Sequence, residues 1–500
     1  MTSTFFGLET ARRGMTTQQG ALYTTGHNIS NANTPGYTRQ RVNFEQTEPY
    51  PAPGLNAAKI PGQMGTGVQA GSIERIREGF LDLQYRGEST KLGYWDSRSE
   101  AMQKMEEIMN EPSDTGLSKT MDQFWQSLQD LAVNPTNAGA RAVVRQRGQA
   151  VADTFNYLSN SLTAVRGDLK SEVDVTAKQI DSIGKQIDSL NKQISSVEPN
   201  GYLPNDLYDA RDSLIDQLSS LVKIDVSYTG SGGNALPIAQ GIATIKIIGS
   251  DNTPAGTLVD GPGRSSADVS VSYDSNGSLT GLNIGTNTVN FDKLDKEGKM
   301  KSLADSYGFV DSSGKTQGTY GEMIDSLDAM AFNFAQEFNK VHQAGYNLNS
   351  TKADFFAPMT DAKGAAASIK LSNEILASTD YIAASGTGTV GDGSNATKLA
   401  NVKNGSFVID GKTTTFQNFY ESLIGGMAVD AQEADKMTQN STTLRDAVDQ
   451  RRQSVSAVSL DEEMTNMIQF QHAYNASARM ITVQDELLDK IINGMGLVGR

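Results

Sequence analysis

Cysteine is missing from all 500 residues. That excludes disulfides, thiolate metal sites and a cysteine nucleophile together. It suits a chain that is exported and must not cross-link, and it suits a cytosolic chain equally. Histidine is scarce: His27, His342 and His472 are the full set. None has a second histidine or a glutamate at metal-ligand spacing, and His-Glu-x-x-His does not occur. His342 lies just off an apolar helix face and reads as surface or partly packed. His27 and His472 read as polar positions on terminal helices. No run of about eighteen apolar residues exists, so no transmembrane helix is expected and no membrane partner. The opening Met-Thr-Ser-Thr-Phe-Phe-Gly-Leu-Glu lacks the basic and apolar regions of a signal peptide. Any exit from the cell is expected to use a route that reads no such signal.

Blocks of like charge are absent too. The chain holds 43 basic and 58 acidic side chains, a formal net charge of −15, spread over what read as solvated helix faces. Such an acidic chain repels nucleic acid, which is not expected as a partner. Gly386, Gly388 and Gly391 satisfy Gly-x-Gly-x-x-Gly, but no strand–helix unit surrounds them, and the segment reads as a flexible loop. Neither a phosphate-cradling Gly-x-x-x-x-Gly-Lys-Ser/Thr nor a Gly-x-Ser-x-Gly elbow occurs. Glu462-Glu463 falls on a predicted helix exterior, where solvation is the default. Catalysis has no sequence support, so the expectation is no enzyme, no metal and no cofactor.

What is present lies at the two ends. Near the C-terminus an apolar stripe runs Leu460, Met464, Met467, Gln471, Tyr474, Ala478, Ile481, Asp485, Leu488, Ile492, Met495. Near the N-terminus it runs Leu8, Ala11, Met15, Gln18, Leu22, Thr25, Ile29. Steps of four and three alternate throughout, which keeps a narrow strip facing a partner helix. The ends are expected to pack on each other, on copies of themselves, or both. Gln18, Thr25, Gln471 and Asp485 interrupt the stripes, lowering seam stability and favouring one register. Each buried Leu, Met or Ile contributes about 1.5–3 kcal/mol. Ordering about 45 residues costs on the order of 1–2 kcal/mol each. The C-terminal helix is therefore expected to be unfolded or loosely helical when free and to fold on assembly.

Between the ends the period changes along the chain. Asn31 to Tyr37 stops the first helix, with Pro35 disfavouring helix at Thr34. Pro49, Pro51, Pro53 and Pro61 make 36–78 an extended region with short strands at most, held against neighbours. Residues 79–222 read as a helical bundle. Its clearest piece is a helix of roughly 60 residues, about 90 Å long, starting near Asn137 and ending at Glu198-Pro199-Asn200-Gly201. Residues 223–318 read as β-rich, with a hairpin at Asn276-Gly277. Helix returns over 319–345. Residues 346–415 read as a loop- and β-rich insertion with a hairpin at Asp410-Gly411, 416–452 as the last part of the bundle, and 453–500 as the C-terminal coiled-coil helix. Residues 1–35 form its N-terminal counterpart. The expected fold is α+β multidomain: terminal helices forming a coiled-coil region, a long helical bundle and inserted β-rich domains. The nesting suggests that the ends meet at one pole and the β region lies at the other.

His27-Asn-Ile-Ser-Asn-Ala-Asn-Thr-Pro-Gly-Tyr37 resembles the N-terminal signature of bacterial flagellar rod, hook and hook-associated proteins. Ser459-Leu-Asp-Glu-Glu-Met464, Gln469-Phe-Gln-His-Ala-Tyr474 and Ala476-Ser-Ala-Arg479 resemble the matching C-terminal signature, which often carries asparagine where this chain has Ser459. With the first thirteen residues and Thr38-Arg-Gln-Arg-Val42, the ends look like the FlgK family of flagellar hook-associated proteins. The resemblance implies a structural protein in a thin ring at the hook–filament junction, secreted through the flagellar type III export apparatus. Implied partners are copies of itself in the ring, the hook protein, the second hook–filament junction protein, and a cytoplasmic export chaperone on the C-terminal helix. The terminal helices would form an inner coiled-coil layer. The expected assembly residues are Leu8, Met15, Leu22, Ile29, Leu460, Met464, Met467, Tyr474, Ala478, Ile481, Leu488 and Ile492. Another axial protein of hook or rod is the alternative reading, and a secreted adhesin or enzyme displayed on such ends is a more distant one.

Overall fold

The computed structural model describes residues 5–51, 54 and 62–494; Met495, Pro53 and Pro61 lie outside the described residues. Helix α1 (Phe6–Ser30) leads into an antiparallel ribbon of β1 (Gln40–Gln46) and β2 (Val68–Arg75). Strands of seven and eight residues exceed the short strands expected for 36–78. The reason is where the prolines fall. Pro49 and Pro51 sit beyond the paired residues, where a missing N–H removes no ladder bond.

The bundle begins with α2 (Gly79–Met109), α3 (Leu117–Val133), α4 (Ala138–Val197) and α5 (Asn205–Leu221). Helix α4 has 60 residues. The Asn137 carboxamide oxygen accepts from the Ala140 N–H at 3.1 Å and caps its start. The turn Glu198–Asn200 and Gly201, at φ 82°, end it where the Pro-Asn-Gly run predicts. Val144, Val151, Phe155, Leu158, Leu162, Leu169, Val173, Ile180, Ile187 and Ile194 are buried along its length, so one stripe faces the core throughout.

Two small sheets follow. Strands β3 (Ile224–Thr229), β4 (Ile242–Ile248), β5 (Pro254–Asp260) and β6 (Ser265–Ser266) form an antiparallel meander. Strands β7 (Val269–Tyr273) and β8 (Leu279–Ile284) form the hairpin expected around Asn276-Gly277, and Gly277 takes φ +83°. Strand β9 (Asn287–Val289) adds to β8. Helix α6 (Lys299–Tyr307), absent from the sequence reading, precedes β10 (Phe309–Val310), which runs parallel to β8, and β11 (Thr316–Gln317). Then come α7 (Thr319–Ala344), the short helices α8 (Ala365–Ser368), α9 (Asn373–Ala377) and α10 (Ser394–Ala400), and the hairpin β12 (Phe407–Ile409) and β13 (Lys412–Thr414). Its turn, Asp410-Gly411, has φ of 48° and 74°, as a two-residue hairpin loop requires. Helices α11 (Phe416–Ser456) and α12 (Leu460–Gly494) close the chain.

The start of α4 lies in an aromatic core, where Phe124, Phe155, Phe334, Phe338, Phe355 and Phe356 interlock at ring separations between 5.0 and 6.3 Å. His342 belongs here and is 1% exposed, not a surface residue. Its Nδ1–H donates to the Ala353 carbonyl at 2.8 Å and its Nε2 accepts the Ala383 N–H at 2.9 Å, so it clips two segments of the 346–415 insertion to α7. The loop 385–394 is built rather than loose: the Asp392 carboxylate accepts from the N–H groups of Gly386, Thr387 and Ser394.

The β region does not occupy the pole opposite the chain ends. Arg211 on α5 donates to the Gly241 carbonyl at the start of β4 at 2.7 Å, while Asp209 on the same helix accepts from the Thr38 N–H at 3.0 Å. The sheets and the terminal segments share α5. The cause is α4: one unbroken helix carries the chain the length of the body back to the terminal end before β3 starts.

Candidate assembly site

Helices α1 and α12 pack antiparallel. Gly7 lies against Gln484, Gly14 against Ser477, and Asn28 reaches Glu463. These α1 positions recur every seven residues, with buried Ala21 between them, and their partners do likewise through Phe470. A Cβ on Gly14 would stand 3.1 Å from the Ser477 hydroxyl, so small residues let the helices approach closely. The seam centre therefore falls one residue from the sequence stripe. Leu8, Met15, Leu22 and Ile29 flank it, half-buried.

On α12 the stripe divides. Met467, Tyr474, Ala478, Ile481 and Leu488 are half-buried on the α1 side, whereas Leu460, Met464 and Ile492 are 47%, 56% and 70% exposed. Ile468, Met480, Val483, Leu487 and Ile491 are exposed as well, and Ile491 holds the seam position seven residues after Gln484. The ribbon braces the pair: the Thr17 hydroxyl donates to the Val68 carbonyl at 3.1 Å, and Phe44 meets Phe470 edge-on at 5.8 Å.

Where the seam reaches the body, the two signatures interlock. Asn28, 1% exposed, spends every polar atom: its Nδ2 donates to the Gln40 carbonyl and to Glu463, and its Oδ1 accepts from Tyr37 Oη–H and from the Gln40 N–H. Glu463 is 2% exposed, a buried residue rather than the helix exterior expected for it. The Arg39 guanidinium binds it at 2.7 Å and Glu462 at 2.7 Å. This pairing, chiefly its hydrogen bond, holds the Glu462 carboxyl below the usual range. The Arg39 N–H donates to the Ser456 carbonyl, tying the break between α11 and α12 to the ribbon. His27 stays at the rim, its Nδ1 2.9 Å from Tyr37 Oη and its Nε2 3.8 Å from Asp206, while His472 is exposed.

Beneath this lies a buried ion network that the sequence reading missed. Asp209, Asp212 and Asp216 share one face of α5. Arg75 binds Asp209 at 2.6 Å and Asp212 at 3.1 Å; Arg77 binds Asp82 at 2.6 Å and Asp212 at 3.1 Å; Arg86 binds Asp216 at 2.7 Å. Arg452 of α11 joins Asp216 and stacks 3.8 Å over the Tyr85 ring. Burial alone would raise the Asp212 carboxyl, but Arg77, Arg75, Arg86 and Arg211 outweigh it and hold it at about 2. Arg-Ile-Arg at 75–77 and the spacing 209, 212, 216 were the available signals. Three of the four aspartates of α5 are thus not solvated, Asp206 alone being exposed.

Two short family models match the interlocking ends, flagella basal body rod protein over residues 8–38 and the flagellar basal body rod FlgEFG protein C-terminal region over 449–494. The flagellar hook-associated protein FlgK helical domain matches 102–356. Flagellar hook-associated protein 1 of Bacillus subtilis is 49% identical over 507 residues and is covered, like this chain, in full. The chain belongs to the FlgK family of flagellar hook-associated proteins. The Salmonella typhimurium member is 25% identical, with 97% of this chain and 98% of that one aligned. The solved flagellar hook junction protein FlgK from Burkholderia pseudomallei superposes with a TM-score of 0.58 at 14% identity, over 76% of this chain and all of that one, and so shares the fold. FlgK membership makes this chain a structural protein of the bacterial flagellum. No helix among the described residues is long and apolar enough to cross a membrane.

Proposed function

We propose that the chain is a hook–filament junction adaptor that enters the axial structure through α1 and α12. The observation that carries this reading is the number of large apolar side chains that α12 leaves exposed. The contact with α1 leaves Met464, Ile468, Met480, Val483, Leu487 and Ile491 exposed. A helix does not keep so many large apolar side chains uncovered without a partner for them. Neighbouring copies in a ring would cover them, with Leu8, Met15, Leu22 and Ile29 at the seam edge completing the contact. The hook protein below and the second junction protein above would extend the same packing.

Export explains the rest of the assignment. A cysteine-free chain cannot cross-link while unfolded, and the exposed apolar side chains would need a cytoplasmic chaperone to shield them before secretion. The units passing outward from the seam are 36–78, the bundle parts 79–222, 319–345 and 416–452, the β region 223–318, and the insertion 346–415. The decisive experiment places charge at two of those side chains. Met480→Asp with Leu487→Asp should fold as the parent does, by circular dichroism and melting, yet fail to join purified hooks. Normal incorporation by that variant refutes the reading.

A further inference from the structure

Three helices of the body carry interior glycines that no geometry requires, one of them Gly87 near the start of α2. Gly167 in α4 and the pair Gly425-Gly426 in α11 have helical φ, and a Cβ on any of them would meet nothing within 4 Å. The same helices show what a required glycine looks like. A Cβ on Gly148 would stand 2.6 Å from the Phe355 ring. Glycine loosens a helix interior relative to alanine, and glycine pairs are among the few causes of helix kinks.

Gly167, Gly425 and Gly426 lie near one level of the body. Arg166, beside Gly167, donates to the Tyr307 carbonyl at 3.0 Å, and Gly308 abuts Gly318 at the start of α7. Thr319 then lines a cleft of about 610 Å³ together with Met105, Met323, Gly426 and Met427. The core changes character at the same level. Met105, Met323 and Met427 line the cleft, and Met102, Met109 and Met330 are buried on the same helices α2 and α7. Methionine is unbranched and refills a changing gap, whereas interlocked rings cannot. Helix α2 also ends here, at Asn110 in the left-handed region.

We propose that this level is a compliant joint, about which the aromatic end of the body tilts against the end that holds both sheets and the terminal helices. Unneeded glycines let α4 and α11 bend, and the methionine layer repacks without opening a void. The use of the joint rests on the junction reading: it would absorb the angular mismatch between a hook that bends and a filament that does not. Its existence does not depend on that reading, because it belongs to the isolated chain.

The test uses the absence of cysteine, since introduced thiols label alone. Tyr157→Cys with Leu444→Cys spans the joint, and Val175→Cys with Leu444→Cys lies wholly on one side; all three sites are exposed. Spin-label distance distributions in the full chain should be at least twice as broad for the spanning pair. Gly167→Ala, Gly425→Ala and Gly426→Ala together should narrow that pair and leave the other unchanged. Equal widths in the unsubstituted chain, or no narrowing in the alanine variant, overturn the joint. Should the alanine variant fold poorly, amide exchange in the unsubstituted chain decides. Amides at 163–171 and 421–430 should exchange at least tenfold faster than those one turn to either side, and uniform protection overturns the proposal. Failure to assemble onto hooks would bear only on the junction reading.

Discussion

Glu463 shows what a single buried charge does in a helix seam. Its carboxylate is desolvated, so its cost is met only by Arg39 and Asn28. Arg39→Met is expected to destabilise the terminal module by about 3 kcal/mol, because it leaves the acid buried without its cation. Adding Glu463→Leu should restore part of that loss, since the second change removes the uncompensated charge. Denaturant titration of the two variants checks both statements, and equal instability would show that Glu463 is not what Arg39 serves. Specificity is the larger role. A slip of one heptad would set Asn28 against Phe470 and take the buried Glu463 carboxylate from its hydrogen bond with Asn28. His342 is the second residue with a measurable consequence. Burial in the aromatic core lowers its pKa to about 4 from 6.5. A histidine whose folded pKa is depressed binds its proton more readily when unfolded. Its contribution is whole above about pH 6.5 and is lost as pH falls towards 4. The drop is on the order of 3 kcal/mol over that window. His342→Gln should flatten the stability–pH slope between 6.5 and 4; an unchanged slope would assign it to other groups.

At the scale of the helix, the half-buried and the exposed apolar side chains of α12 have separate consequences. Ile481→Asp places a charge against α1 and should unfasten the seam, seen as lost amide protection in both helices. Val483→Asp, two residues on, replaces an exposed side chain and should change monomer stability by less than about 0.5 kcal/mol while blocking incorporation into hooks. If both variants behave alike, the helix has one functional face and the division is wrong. The heptad was legible in the sequence because period needs only neighbours. Which of its flanks meets α1 was not, because the close-packed column on α1 is Gly7, Gly14, Ala21 and Asn28, residues that no apolar pattern selects. Helix α4 was legible from end to end, since Asn137 and the Glu198-Pro199-Asn200-Gly201 run are local signals. The hairpins at Asn276-Gly277 and Asp410-Gly411 were legible for the same reason. The ion network was not: Arg75 and Asp212 are remote in sequence, and an Asp-x-x-Asp-x-x-x-Asp face looks the same whether water or arginine lies opposite. Helix α6 was hidden by its surroundings, a short helical segment inside a region read by its alternation of two.

Across the whole molecule the terminal module and the body meet through polar and ionic contacts, while each keeps apolar packing of its own. The body's core runs from Ala101 to Ala431 and takes nothing from α1 or α12. The contacts that join the two include Thr38 on Asp209, Arg75 and Arg77 on Asp212, Gln40 and the Ile73 carbonyl on Asn205, and the Arg39 N–H on Ser456. Removing residues after 455 therefore keeps every member of the core, and keeps Arg452 on Asp216. The truncated chain is expected to retain the main calorimetric transition of the parent within about 2 °C, the shift that roughly 1 kcal/mol makes in a body of this size. Amide protection in α1 and the ribbon should fall, because their partner helix has gone, and binding to purified hooks should be lost. Each result tests a different proposition. Collapse of the main transition would mean that α12 is part of the body's cooperative unit, against the core described above. Loss of protection in α1 with hook binding retained would mean that the body, rather than the terminal seam, holds the chain in the axial structure. Only a stable core, an exposed α1 and no hook binding, found together, fit a chain whose ends are built for assembly and whose middle folds by itself.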